Sequence, residues 1–129
     1  MQCVYLYYNR SLKNIDALKK VKDTLKALRI DHCPKIKDFS VLEELENLEY
    51  LFLDGNNKLE SLDFLKKLKK LKTFICHYEI LDGNLLNTLN LSYVYMGRIR
   101  KHYNLKDKDL PRGEYIRGNE DIEEWRRLL

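Results

Sequence analysis

Asp31, Asp54 and His77 are the residues whose types and spacing could do chemistry, because they recur at an equal step of 23 residues (31 to 54 to 77). In a chain of stacked units, a constant step places its members in one column, on neighbouring rungs. Two carboxylates and an imidazole in a column suggest a divalent-metal site, whose ligand atoms stand about 2.0–2.2 Å from the ion. Adjacent strands lie about 4.8 Å apart, so three successive rungs reach one ion only through bridging water. The expectation is therefore an acidic spot that recognises Lys or Arg on a partner, with no metal and no cofactor.

Other chemistry has no residues to carry it. The sequence shows no paired nucleophile and base, no glycine-rich phosphate loop and no CxxC, so no enzyme is expected. Its three cysteines are an odd number without framework spacing, which argues against a disulfide scaffold. The start MQCVYLYYNR lacks a basic region followed by an apolar run, and no stretch approaches membrane-spanning length. A reducing cytoplasm and no membrane are expected. The net charge of +4 is too mild to indicate nucleic acid.

The columns beside the acidic one are aromatic. The central column holds Tyr5, Arg29, Phe52, Ile75 and Tyr95, and the acidic column begins with Tyr7 and ends at Gly97. Beyond it run Tyr8, His32, Gly55, Tyr78 and Arg98; on the other side are Cys3, Ala27, Tyr50, Thr73 and Tyr93. Seven of the nine tyrosines fall in these outward slots, where Phe52 and Ile75 are also disfavoured by water. Tyr and Arg bury large areas at small entropic cost, which makes them the side chains of binding hot spots. The partner-binding set is Tyr5, Tyr7, Arg29, Asp31, Tyr50, Phe52, Asp54, Ile75, His77, Tyr93 and Tyr95. The basic residues avoid that face, so stacking of nucleic-acid bases is not expected.

Positioning these columns falls to a repeating unit. In Leu48–Lys70 the apolar residues are Leu48, Leu51, Leu53, Leu59, Leu62, Leu65 and Leu68, with Asn56 between the halves. The first half reads as a short strand and turn. The second half, with leucine at every third position, reads as 3₁₀ or loosely wound helix. One unit shows its leucines to one side only, so it needs copies above and below. The first copy runs from Met1 to Thr24 and the second from Leu25 to Asn47; the fourth starts at Leu71. Asn9, Cys33 and Asn56 take the polar slot, where a buried side chain satisfies main-chain groups leaving the strand. In the fourth unit Glu79 replaces them, Asp82-Gly83 marks a turn, and Leu85 and Leu89 are expected inward. A fifth strand carries Leu91, Val94 and Met96, and the pattern stops at Arg98.

Residues 99–129 read as a cap: a polar loop, then a short helix from Asn119 whose Trp125 seals the last unit. The N-terminal end has no such device. This suggests a fragment of a longer chain, an end covered by another subunit, or a strand open to self-association.

Residues 1–98 resemble a bacterial leucine-rich repeat protein whose convex side is 3₁₀ and short helix. Asp82-Gly83-Asn84 and Arg100-Lys101-His102-Tyr103 also resemble the ending of solitary bacterial members. The resemblance implies an α/β fold: a right-handed leucine-rich repeat solenoid of about four repeats plus a closing strand and cap, with parallel strands on the concave face. It also implies a protein partner on that face, in some cases a toxin neutralised by an immunity protein. A self-assembling structural repeat is the other class left open. The run LDFLKKLKKLK, whose leucines belong to the repeat, is expected to leave Lys66, Lys67, Lys69 and Lys70 as a solvated convex face that can pair with the acidic run Glu43, Glu44 and Glu46 one repeat earlier.

Overall fold

The computed structural model describes residues 3–115. Among the described residues there are seven strands: β1 (Cys3–Tyr7), β2 (Ala27–Asp31), β3 (Tyr50–Asp54), β4 (Lys58–Leu59), β5 (Thr73–Cys76), β6 (Glu79–Ile80) and β7 (Tyr93–Tyr95). The chain is an α/β protein with a parallel five-stranded sheet whose order, β1-β2-β3-β5-β7, follows the sequence. β4 and β6 form a separate parallel pair. Among the described residues the helical content is short 3₁₀ segments, and no helix is long and apolar enough to cross a membrane.

Alternation within the strands builds the core. Leu28, Ile30, Leu51, Leu53, Phe74 and Cys76 all point to one side and are fully buried. The return path of each unit closes over them. Leucine spacing of three suits the 3₁₀ geometry, in which positions i and i+3 eclipse on one face. Leu18, Leu42 and Leu65 each donate a main-chain hydrogen bond of 3.0 Å to the carbonyl three residues earlier. They are among the buried residues of the segments Asp16–Val21, Ser40–Glu44 and Asp63–Lys67. Each fully buried leucine contributes about 1.5–3 kcal/mol. On the outer side of these segments Lys67 pairs with Glu43 at 3.7 Å, within the expected basic and acidic runs, and Lys19 pairs with Glu44 at 3.5 Å, which the pattern did not indicate.

The polar slot departs from its expected register. Asn9 is exposed and only closes a local turn, accepting from the main-chain N–H groups of Ser11 and Leu12 at 3.0 Å. Asn56 is exposed as well; its neighbour Asn57 turns inward and donates to the carbonyls of Cys33 and Ile36 at 3.1 and 3.0 Å. Cys33 is buried as a turn filler. The fourth unit departs further, through a change of spacing. Leu53 pairs with Cys76, 23 residues on, whereas Leu59 pairs with Ile80, only 21 residues on. Two residues are therefore missing after β5, which draws Tyr78 inward. Tyr78 is 1 % exposed rather than outward-facing, and Glu79 becomes a strand residue of β6. Leu85 is buried as expected, but Leu89 is exposed and Thr88 takes the inward place.

The two ends differ. Past Arg98, Tyr103 and Leu110 join the main core. The stretches 82–84 and 102–104 meet there: Asn104 donates to the Gly83 carbonyl at 3.0 Å, and the Leu85 N–H donates to Asn104 Oδ1 at 2.8 Å. Residues 111–113 lie along β7, with Val94 donating to the Pro111 carbonyl at 2.9 Å and Gly113 to the Ser92 carbonyl at 2.8 Å. At the other end Val4, Leu6, Leu12 and Val21 are only partly buried, unlike their counterparts in the following units. Trp125 and the helix expected after Asn119 lie outside the described residues.

Candidate functional site

The strand register reproduces the outward columns. Tyr5 stands opposite Arg29, Arg29 opposite Phe52, Phe52 opposite Ile75, and Ile75 opposite Tyr95. Asp31 stands opposite Asp54. The His77 N–H donates to the Leu53 carbonyl at 2.8 Å, which keeps His77 on the next rung.

The outer face is less open than alternation alone suggests. Cys3, Tyr5, Ala27 and Tyr50 form a second apolar cluster there, with Phe52 packed against it. Tyr5, Asp31, Tyr50 and Ile75, expected to meet solvent, are buried. Their neighbours on adjacent strands are large enough to cover them at sheet spacing. Arg29, Phe52, Asp54, His77 and Tyr93 are half-buried. Tyr7 and Tyr95 remain open at 53 % and 39 % exposure, as does Tyr8 at 51 %.

A chain of ring and guanidinium contacts links the face from β1 to β7. The Tyr5 ring meets Tyr7 at 5.3 Å, and the Arg29 guanidinium sits 4.9 Å from Tyr5 and 4.1 Å from Phe52. Phe52 meets His77 at 6.0 Å, and His77 meets Tyr95 at 5.7 Å. Beyond them, the Arg112 guanidinium lies 5.5 Å from Tyr93 and 5.7 Å from Tyr95. Each cation–ring contact contributes about 0.5–2 kcal/mol, more as it is desolvated.

Asp31 is the electrostatic centre. Its Oδ2 accepts from the Tyr5 hydroxyl at 2.7 Å and from Arg29 Nε at 3.0 Å. Burial, and then that hydrogen bond to the carboxylate, push the Tyr5 phenol well above its ordinary value, so it acts as a donor. Asp31 Oδ2 is thus committed to its neighbours, and Asp54 is the more open carboxylate. Thiol chemistry is suppressed: burial raises Cys33 and pushes Cys76 up to about 12.

The carboxylates find a different histidine from the one the spacing indicates. One ligand atom each from Asp31, His32 and Asp54 lie within 4.8 Å of one another, while His77 joins the aromatic chain. His32 has φ +51, a left-handed conformation shared by Tyr8 at φ +48. The sequence signal for this was Gly55, which follows Asp54 as His32 follows Asp31. Glycine there marks a position that calls for positive φ. Arg112 was also missed, because the loop that carries it follows no period.

Comparison with protein-family models, curated proteins and solved structures finds no match to this chain.

Proposed function

We propose that the chain is a bacterial-type leucine-rich repeat solenoid, right-handed, with about four repeats, a closing strand and a C-terminal cap. On this reading it acts in the cytoplasm as a non-enzymatic module whose concave face, the outer face of the sheet, binds a protein partner. The observation that carries it is the contact chain from Tyr7 to Tyr95, which leaves Tyr7 and Tyr95 open at its two ends. An aromatic surface already ordered by its own contacts loses little entropy on binding. Neutralisation of a bacterial toxin is the sharper form of this reading.

The test uses two baits for affinity capture. Tyr95→Ala should weaken partner binding by about 1–3 kcal/mol, because it truncates an exposed anchor. Lys67→Glu, on the opposite side, should leave binding intact. Loss of binding with Lys67→Glu and retention with Tyr95→Ala would place the function on the wrong face.

A second reading is self-assembly through the β1 end. The partial burial of Val4, Leu6, Leu12 and Val21 favours it. Sedimentation should then show an association that Leu6→Lys abolishes.

A further inference from the structure

The Asp31–His32–Asp54 cluster has a feature that a solvated acidic spot lacks. His32 Nδ1 is shielded from solvent, although the side chain is 40 % exposed, and has no hydrogen-bond partner among the described residues. It faces Asp31 Oδ1 at 3.6 Å, an ion-pair distance rather than a hydrogen-bond one. Two ligands of one ion at about 2.1 Å stand roughly 3.0–4.2 Å apart, so 3.6 Å suits a bridged pair. The three ligand atoms as a group lie within 4.8 Å of one another.

The surroundings hold the ligands in place. Tyr5 and Arg29 both bind Oδ2 of Asp31, which leaves Oδ1 for another contact. Tyr8 stacks on the His32 imidazole with centroids 4.5 Å apart and planes 10° apart, fixing the ring. The His32 N–H donates to the Asp54 carbonyl at 2.9 Å, tying two of the ligands through the main chain. The Asp54 carboxylate has no hydrogen-bond or ion-pair partner among the described residues. Hydrogen bonds such as the two to Asp31 Oδ2 orient a metal ligand.

We infer that Asp31, His32 and Asp54 form a binding site for one divalent transition-metal ion of the zinc class, with its remaining coordination open to solvent. One imidazole nitrogen with two carboxylate oxygens suits Zn²⁺ or Co²⁺, whereas Mg²⁺ and Ca²⁺ take oxygen sets. The inference does not depend on partner binding.

The experiment titrates untagged protein with Co²⁺, followed by visible absorption, and with Zn²⁺, followed by calorimetry. One ion per chain is expected for each metal. Asp54→Asn should weaken binding by at least about tenfold, and the variant should fold, because that half-exposed carboxylate holds nothing in place. His32→Asn, chosen because Asn tolerates left-handed backbone, should do the same and alter the cobalt spectrum. No saturable binding, or binding that both folded variants retain with an unchanged cobalt spectrum, overturns the site. Should His32→Asn fail to fold, Asp54→Asn decides alone: weakened binding supports the site and unchanged affinity refutes it.

Discussion

At the scale of single residues, Asp31 has two roles that pull in the same direction. Its side chain is 5 % exposed, and one oxygen holds both the Tyr5 hydroxyl and Arg29. An Asp31→Ala change strands a buried phenol and leaves a guanidinium between two rings without its counter-ion. Breaking a fully buried pair costs about 3–5 kcal/mol, and Arg29 retains some access to water, so about 2–3 kcal/mol is expected here. Urea unfolding should show a lower midpoint with an unchanged slope. The same carboxylate keeps the outer face ordered, so the variant should also lose the ring contacts around Arg29.

At the scale of elements, the turns decide more than the strands do. Gly83 lies where the fourth unit turns against the closing loop, with φ +68, and a Cβ there would meet the main chain of His102 and its Cδ2 at 2.8 Å. The neighbouring main chain has no room to retreat, because Asn104 is bonded to both the Gly83 carbonyl and the Leu85 N–H. Gly83→Ala therefore combines left-handed strain with a backbone clash and should cost about 2–3 kcal/mol. A thermal melt checks this; an unchanged midpoint would mean the closing loop does not press on the turn. The short fourth unit has a similar local cause. Losing two residues after β5 forces Tyr78 inside, where its hydroxyl has no partner among the described residues and burial raises the phenol.

At the scale of the whole molecule, stability runs in a gradient. The second and third units are covered on both sides, and Leu28, Ile30, Leu51 and Leu53 are fully buried. Among the described residues the first unit packs against one neighbour, and Val4, Leu6, Leu12 and Val21 stay partly exposed. In a stack of nearest-neighbour contacts, a terminal unit opens at lower free energy than a central one. Amide exchange should therefore be faster in β1 than in β3, with β7 slowed by residues 111–113 along its edge. Equal protection of β1 and β3 would mean that the first unit is held as firmly as the central ones.

Much of this was legible in the residue pattern because it depends on local periodicity. Alternation in 27–31 and 50–54, and leucine at every third position in 62–68, set which side chains turn inward. A step of 23 put Arg29 beside Phe52 and Asp31 beside Asp54. Tertiary structure decided what no period encodes. It moved the polar slot from Asn56 to Asn57, which bonds to the Cys33 and Ile36 carbonyls, and it buried Tyr78, because the spacing between paired strands changes from 23 to 21 after β5. It enclosed Tyr5 and Tyr50, because accessibility depends on the size of neighbours on other strands. It also exchanged His77 for His32 beside the two carboxylates, through a left-handed backbone turn that follows the strand. Spacing along the chain specifies which rung a residue occupies; the direction of its side chain depends on the backbone angle there.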